Sequence, residues 1–161
     1  MKTLIFLRHA KSSWELNVDD RNRPLSENGM DRIKKIAKRS SLVFENADQF
    51  FTSPANRAFH TASILMHKLK IPFTKLQVSE TLYTFDGSVV LDFIHTLSDE
   101  LDAVVLVGHN PAFTYAASSL TTSYLEHLPT SAWVKIEFEQ NLWKKIKEGK
   151  ATFGFPKDIL K

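Results

Sequence analysis

Two short apolar runs without a polar face constrain the fold of this chain of 161 residues most strongly. Residues 4–7 and 103–107 place apolar side chains at successive positions, so both faces of each predicted strand must be covered. Strands of this kind belong to sheets that carry helices on both sides. The runs therefore predict an α/β fold, a three-layer α/β/α sandwich with a central, mostly parallel sheet.

The segments between these runs have the pattern of helices. Ser26 is a candidate N-cap, and Met30, Ile33 and Ile36 follow it at helical spacing. The chain also runs from strand to cap residue to proline to helix at Ser53-Pro54 and at Asn110-Pro111. Proline is tolerated at the first helical position, so a helix is predicted to begin at Pro54, and another helix is predicted over 112–120 after Asn110-Pro111.

The rest of the pattern predicts further strands and one more helix. Strands are expected at 49–52, 76–78 and 130–138, and a helix at 89–97. Residues 142–147 are predicted to pair with the 130–138 strand as a hairpin, and the tail from residue 150 onward is expected to be loosely attached. No internal repeat or linker interrupts the chain, so residues 1–161 are predicted to form a single domain.

Composition excludes several classes of protein. A hydrophobic content of 43% with 24% charged residues is typical of a globular protein. The net charge of +3 is too small to indicate a nucleic-acid partner, and no apolar run is long enough to cross a membrane. The chain has no cysteine, which excludes disulfides and thiol catalysis. No signal-peptide pattern is found, so a cytoplasmic location is expected.

Basic residues follow the apolar runs where a functional site is expected. Arg8-His9 ends the first run and Gly108-His109 ends the second, while Arg57 lies in the first turn of the helix after Ser53-Pro54. The carboxyl ends of parallel strands meet at one edge of the sheet, so these side chains should gather there. Helix N-termini at the same edge favour anions.

This set of side chains favours phosphate over a metal ion. Each arginine presents a planar fork that matches two phosphoryl oxygens, and a histidine such as His9 can accept a phosphoryl group covalently. A metal site normally adds carboxylates or thiolates, and two arginines would repel a dication. We therefore expect a phosphate site made by Arg8, His9, Arg57 and His109, with no metal.

Four motifs in order carry a family resemblance. They are Leu7-Arg8-His9-Ala10, Arg23-Pro24-Leu25-Ser26-x-x-Gly29, Ser53-Pro54-x-x-Arg57-Ala58-x-x-Thr61-Ala62 and Val107-Gly108-His109-Asn110-Pro111. Together they resemble the histidine phosphatase superfamily, which has the phosphoglycerate-mutase-like fold. The short length and the opening Arg-His-Ala-Lys-Ser-Ser-Trp look most similar to the SixA-type branch, the protein phosphohistidine phosphatases.

The resemblance implies a role for each matching residue. His9 would be the nucleophile, and Arg8, Arg57 and His109 would hold the phosphoryl oxygens. The acidic residue after the third strand, Glu80, would give a proton to the leaving group, with Asp86 as the reserve candidate. No cofactor is implied.

The substrate implied by the resemblance is phosphohistidine or another phosphate displayed on a protein. Hydrolysis of small phosphate esters, a phosphotransferase or mutase activity, and a phosphate-binding module without catalysis remain alternatives. Many mutase-like members carry an asparagine where this chain has Glu15, and a carboxylate there disfavours phosphate. That difference weakens the mutase alternative.

Overall fold

A computed structural model describes residues 1–161 and contains one sheet of six strands. The strands are β1 (Lys2–Arg8), β2 (Gln49–Thr52), β3 (Leu76–Val78), β4 (Ala103–Gly108), β5 (Trp133–Phe138) and β6 (Lys150–Gly154). Their order in the sheet is β3-β2-β4-β1-β5-β6. Strands β1 to β4 are parallel, whereas β5 is antiparallel to β1 and to β6. The predicted mixed, mostly parallel sheet is confirmed.

Helices cover both faces of this sheet. They are α1 (Glu27–Arg39), α2 (Ser41–Phe44), α3 (Asn56–Lys68), α4 (Gly87–His95), α5 (Ala112–Ser119) and α6 (Pro156–Ile159). Helices α1 and α3 pack on one face, and α4 and α5 pack against each other on the other, so two separate apolar cores enclose the sheet. The predicted three-layer sandwich is therefore confirmed. None of the helices has the length and apolar content that a membrane span requires.

The start of α1 follows its sequence pattern and shapes the loop after β1. Ser26 Oγ accepts a hydrogen bond from the Gly29 N–H at 3.0 Å, and Ile33 and Ile36 are fully buried. A Cβ atom at Gly29 would collide with the carbonyl oxygen of Lys11, so only glycine allows the helix to come this close. The N-terminus of α1 thereby supports the loop that follows β1.

Two helices begin at positions that differ from the predicted ones. Helix α3 begins at Asn56 and not at Pro54, because Ser53 Oγ accepts the Ala55 N–H and forms a turn first. Helix α5 begins at Ala112, as predicted, with Pro111 as its N-cap residue. Helix α4 begins at Gly87, two residues before the predicted start, because the Asp86 carboxylate accepts the Ser88 N–H at 2.9 Å.

The predicted hairpin after β5 is wrong. Strand β5 pairs with β6, and residues 142–147 contain a 3₁₀ turn, Trp143–Lys145. The Trp143 side chain is fully buried, and its Nε1–H donates to the Leu101 carbonyl oxygen at 2.8 Å, which draws this segment away from the sheet. The tail is not loosely attached either, since it forms β6 and α6, and Arg39 donates to the Ile159 carbonyl oxygen at 2.7 Å.

Candidate active site

The four residues predicted to bind phosphate line one cavity at the carboxyl edge of the sheet. Arg8 ends β1 and His9 follows it, His109 follows β4, and Arg57 lies in the first turn of α3. The cavity has a volume of about 280 Å³. Strands β2, β4 and β1 are neighbours in the sheet, so residues that are far apart in the sequence meet here.

His9 presents an unprotonated nitrogen for a ligand. Its Nδ1 lies 2.7 Å from the Ala10 carbonyl oxygen, and because a carbonyl can only accept, Nδ1 carries the ring proton. The Ala10 N–H donates to Thr61 Oγ1 at 2.9 Å, and Thr61 donates in turn to the Arg57 carbonyl oxygen at 2.6 Å. This network fixes the orientation of the Ala10 backbone and of the ring, and leaves the lone pair on Nε2 free.

Both histidines of the cavity are neutral at physiological pH. Burial lowers the pKa of His9 to about 3, although the hydrogen bond to Ala10 acts in the opposite direction, and the charge of Arg57 lowers it further. Burial lowers the pKa of His109 to about 3 as well, with further contributions from His9 and Arg57. The two ring centroids are 5.3 Å apart. A neutral imidazole retains the lone pair that a nucleophile needs.

Several buried hydrogen-bond donors around the cavity have no acceptor on the protein. They include the Nε–H groups of Arg8, Arg23 and Arg57, and His109 Nδ1 is also without a partner. Buried donors are normally paired, and an anion with several oxygens would pair them. This arrangement suits a phosphoryl group and would repel a cation. No group of acidic, histidine or cysteine side chains suitable for a metal ion is present.

Asp20 is a residue of the cavity that the sequence analysis missed. Its Oδ2 accepts from Arg57 Nη2 at 3.0 Å and from the Tyr83 hydroxyl at 2.6 Å, and its Oδ1 accepts from Arg23 Nη2 at 3.2 Å. Burial raises the pKa of Asp20, but the hydrogen bonds from Tyr83 and Arg57 outweigh this and lower the pKa to about 2. The carboxylate is therefore ionised and holds Arg57 and Arg23 in place.

The predicted proton donor lies outside the cavity. Glu80 forms a paired contact with Arg21, with oxygen–nitrogen distances of 2.6 and 3.0 Å, and its side chain is 69% exposed. The hydrogen bond from Arg21 lowers the pKa of Glu80. Asp86, the reserve candidate, caps α4 and does not line the cavity. The role of either carboxylate in catalysis stays a prediction.

Two exposed aromatic residues, Trp14 and Phe85, line the cavity, and exposed apolar side chains continue from Trp14 along the loop after β1. The Arg23 guanidinium stacks over the Trp14 ring, with its Cζ 3.7 Å from the ring centroid, and Trp14 is 79% exposed. Leu16 and Val18 of the same loop are 60% and 46% exposed, and Phe85 faces the His109 ring at 5.8 Å between centroids. We call these four residues, Trp14, Leu16, Val18 and Phe85, the apolar rim.

The sequence of this chain matches one protein family and one curated relative. Residues 4–83 match the sequence model of the histidine phosphatase superfamily, branch 1. An uncharacterised chloroplastic protein of Arabidopsis thaliana is 25% identical over 154 residues, which cover 89% of this chain and 70% of that protein.

Two solved structures have the same fold as this chain. A protein assigned as the phosphohistidine phosphatase SixA of Agrobacterium tumefaciens is 23% identical, with a TM-score of 0.76 over 85% of this chain and 92% of that chain. A protein histidine phosphatase SixA complexed with tungstate is 22% identical, with a TM-score of 0.80 over 99% of each chain. At these identities the likeness establishes a common fold.

Proposed function

Because the chain belongs to the histidine phosphatase superfamily, we propose that it is a phosphatase that hydrolyses phosphoryl groups through a phosphohistidine formed on His9. One observation carries the proposal. The neutral His9 keeps its Nε2 lone pair free in a cavity that Arg8, Arg57 and His109 also line. A nucleophile and phosphate-binding donors are thus held together before any substrate arrives.

The first step transfers the phosphoryl group to the enzyme. The Nε2 lone pair of His9 attacks phosphorus, the Nε2–P bond forms, and the bond from phosphorus to the leaving oxygen or nitrogen breaks. The guanidinium groups of Arg8 and Arg57 balance the charge on the equatorial phosphoryl oxygens. The Ala10 carbonyl oxygen accepts the His9 Nδ1–H and stabilises the positive charge that the ring gains.

The leaving group takes a proton in this step, and we assign its donor to Glu80, with Asp86 as the second candidate. The ion pair between Glu80 and Arg21 is exposed on both sides. When it opens, Glu80 loses the hydrogen bond that lowers its pKa, so its carboxyl group can hold a proton and turn to give it to the leaving group. An exposed ion pair contributes little stability, so its opening costs little. In the second step water attacks phosphorus, the Nε2–P bond breaks, inorganic phosphate leaves, and the carboxylate takes the proton from water. No cofactor or metal enters either step.

For the substrate, we propose a phosphate displayed on a protein, including phosphohistidine. The cavity of about 280 Å³ lies at the lower end of the sizes of ligand sites, and the exposed Trp14 and Phe85 in its lining place it at the protein surface. It can hold the phosphoryl group while the rest of the substrate stays outside. The apolar rim then offers Trp14, Leu16 and Phe85 to the surface of a protein that carries the phosphate. The fold shared with proteins named phosphohistidine phosphatases supports the same substrate.

Two leucines give a matched test of this proposal. Leu16 belongs to the apolar rim, whereas Leu42 lies in α2, which follows the far end of α1, and both side chains are well exposed, at 60% and 79%. The assay compares a phosphohistidine-bearing phosphotransfer domain with small phosphate esters. We expect Leu16→Ala to slow hydrolysis of the phosphoprotein about fivefold and to leave the small esters unchanged, because truncating one apolar contact costs about 1 kcal/mol.

Leu42→Ala is expected to change neither rate. Faster turnover of every small ester than of the phosphoprotein, in the wild-type protein, would point to the alternative of a small-ester phosphatase. His9→Ala serves as the control for chemistry, and an unchanged rate in that variant on any substrate would end the assignment of the nucleophile.

A further inference from the structure

We infer that Ser53 is a positioning residue that places the ring proton of His109 on Nδ1, so that His109 donates a hydrogen bond to the phosphoryl group. The inference deepens the proposed phosphatase function and rests on it. It concerns a serine that contributes no atom to the reaction but determines what its neighbour presents to the substrate.

The strands bring Ser53 and His109 together. Ser53 follows β2, its N–H donates to the Val107 carbonyl oxygen at 3.0 Å, and the residue is fully buried. Strand β4, which ends just before His109, lies between β2 and β1 in the sheet. Ser53, His109 and His9 therefore occupy neighbouring positions across the carboxyl edge, and Ser53 lies next to the cavity without lining it.

The hydrogen bonds of Ser53 leave a single place for its hydroxyl proton. Its Oγ accepts the Ala55 N–H at 3.1 Å and lies 2.8 Å from His109 Nε2. This hydroxyl makes no other hydrogen bond with the protein. If the hydroxyl donates to Nε2, both groups are satisfied; if Nε2–H donated to Oγ instead, the serine would bury an O–H with no acceptor. Unpaired buried donors are unfavourable, so Nε2 is the acceptor.

The position of the proton decides what His109 can do. His109 is 1% exposed and neutral, so one ring nitrogen carries a proton and the other a lone pair. With Nε2 accepting from Ser53, the proton resides on Nδ1, which is buried and has no partner on the protein. An N–H group there attracts a phosphoryl oxygen, whereas a lone pair would repel it. The donating tautomer is therefore the productive one.

Variants of Ser53 test this role. Ser53→Ala removes the hydroxyl, Ser53→Thr keeps it, and Ser63→Ala serves as a matched control, because Ser63 lies on α3 and donates to the Phe59 carbonyl oxygen at 2.8 Å, away from the cavity. Imidazole ¹⁵N NMR at neutral pH reports the tautomer directly. We expect Nδ1–H on His109 in the wild type, in Ser53→Thr and in Ser63→Ala, and loss of this single tautomer in Ser53→Ala.

Kinetics and oxyanion binding provide the second readout. We expect Ser53→Ala to lower kcat/KM at least about tenfold and to weaken tungstate binding, since one hydrogen-bond donor to the phosphoryl group is lost. Ser53→Thr should restore most of both. An Nε2–H tautomer in the wild type, or a Ser53→Ala protein with unchanged tautomer and rate, would overturn the inference.

The NMR readout needs no turnover, so the two proposals fail separately. A wild-type protein without phosphatase activity would refute the proposed function, while the wild-type spectrum would still decide the position of the proton. The wild-type and Ser53→Thr spectra also keep the inference testable if Ser53→Ala does not fold.

Discussion

Acidification from pH 7 to pH 5 is expected to destabilise this protein through His9 and His109. In the unfolded chain a histidine has a pKa of about 6.5, whereas burial holds the pKa of both residues at about 3 in the native state. As the pH falls through 6.5, the unfolded chain binds two protons that the native protein does not bind. The free energy of unfolding therefore falls with pH across this window.

The size of the effect follows from the pKa difference. Between pH 7 and pH 5 each histidine lowers the free energy of unfolding by about 2 kcal/mol, and the two together lower it by about 4 kcal/mol. Domains of this size have total stabilities of about 5–15 kcal/mol, so the loss is a large fraction. Asp20, with its pKa lowered to about 2, loses its stabilising contribution only below about pH 4. Asp20 therefore does not contribute to the change in stability between pH 7 and pH 5.

Urea unfolding at pH 7, 6 and 5 measures this dependence. His109→Asn removes one of the two titrating groups, so its stability should change by about 2 kcal/mol over the same range, half of the wild-type change. His67→Asn is the control, because this histidine is exposed on α3, and it should retain the full dependence. A wild-type stability that is the same at pH 7 and pH 5 would refute the reasoning. So would equal slopes for His109→Asn and His67→Asn.

Three further substitutions test other parts of the account. Gly29→Ala should lower the free energy of unfolding by about 1–3 kcal/mol in urea, because its Cβ meets the Lys11 carbonyl oxygen; unchanged stability would contradict this close approach. Asp20→Asn should tighten phosphate binding several-fold in calorimetry, since it removes a negative charge from the cavity, and weaker binding would contradict that electrostatic reason. Glu80→Gln should slow hydrolysis of alkyl phosphates about 100-fold and of aryl phosphates much less, whereas equal loss in Asp86→Asn would assign the donor to Asp86 instead.

The parallel part of the sheet could be predicted because its strands have strong local signals. The uninterrupted apolar run that becomes β4 requires cover on both faces, and the two cores supply it. The gathering of Arg8, His9 and His109 followed from one geometric rule about the ends of parallel strands. Strand β6 gave no such signal. Its five residues, Lys150–Gly154, alternate between exposed and half-buried positions and only the last is buried, so the strand has no apolar run that would predict it.

The polar residues that support the cavity could not be found from the sequence. Asp19 and Asp20 are adjacent in one charged run, and only the 3₁₀ turn Asp20–Asn22 decides that Asp20 is the one that contacts Arg57. The contact between Ser53 and His109 depends on the order of the strands, which the sequence pattern does not specify. Local sequence patterns thus predict which residues lie at the site. Tertiary packing decides which other residues, such as Asp20 and Ser53, form hydrogen bonds with them.

The central claim is that His9 Nε2 forms a covalent bond to phosphorus. Rapid quenching under alkaline conditions, during turnover of a phosphoryl-labelled substrate, followed by peptide mapping, tests it directly. We expect a label on His9 that is stable to base and labile to acid. It should form and disappear at least as fast as the overall reaction, and it should be absent from His9→Ala. Steady turnover with no label on His9 at any time, or a competent label on another residue such as His109, would contradict it.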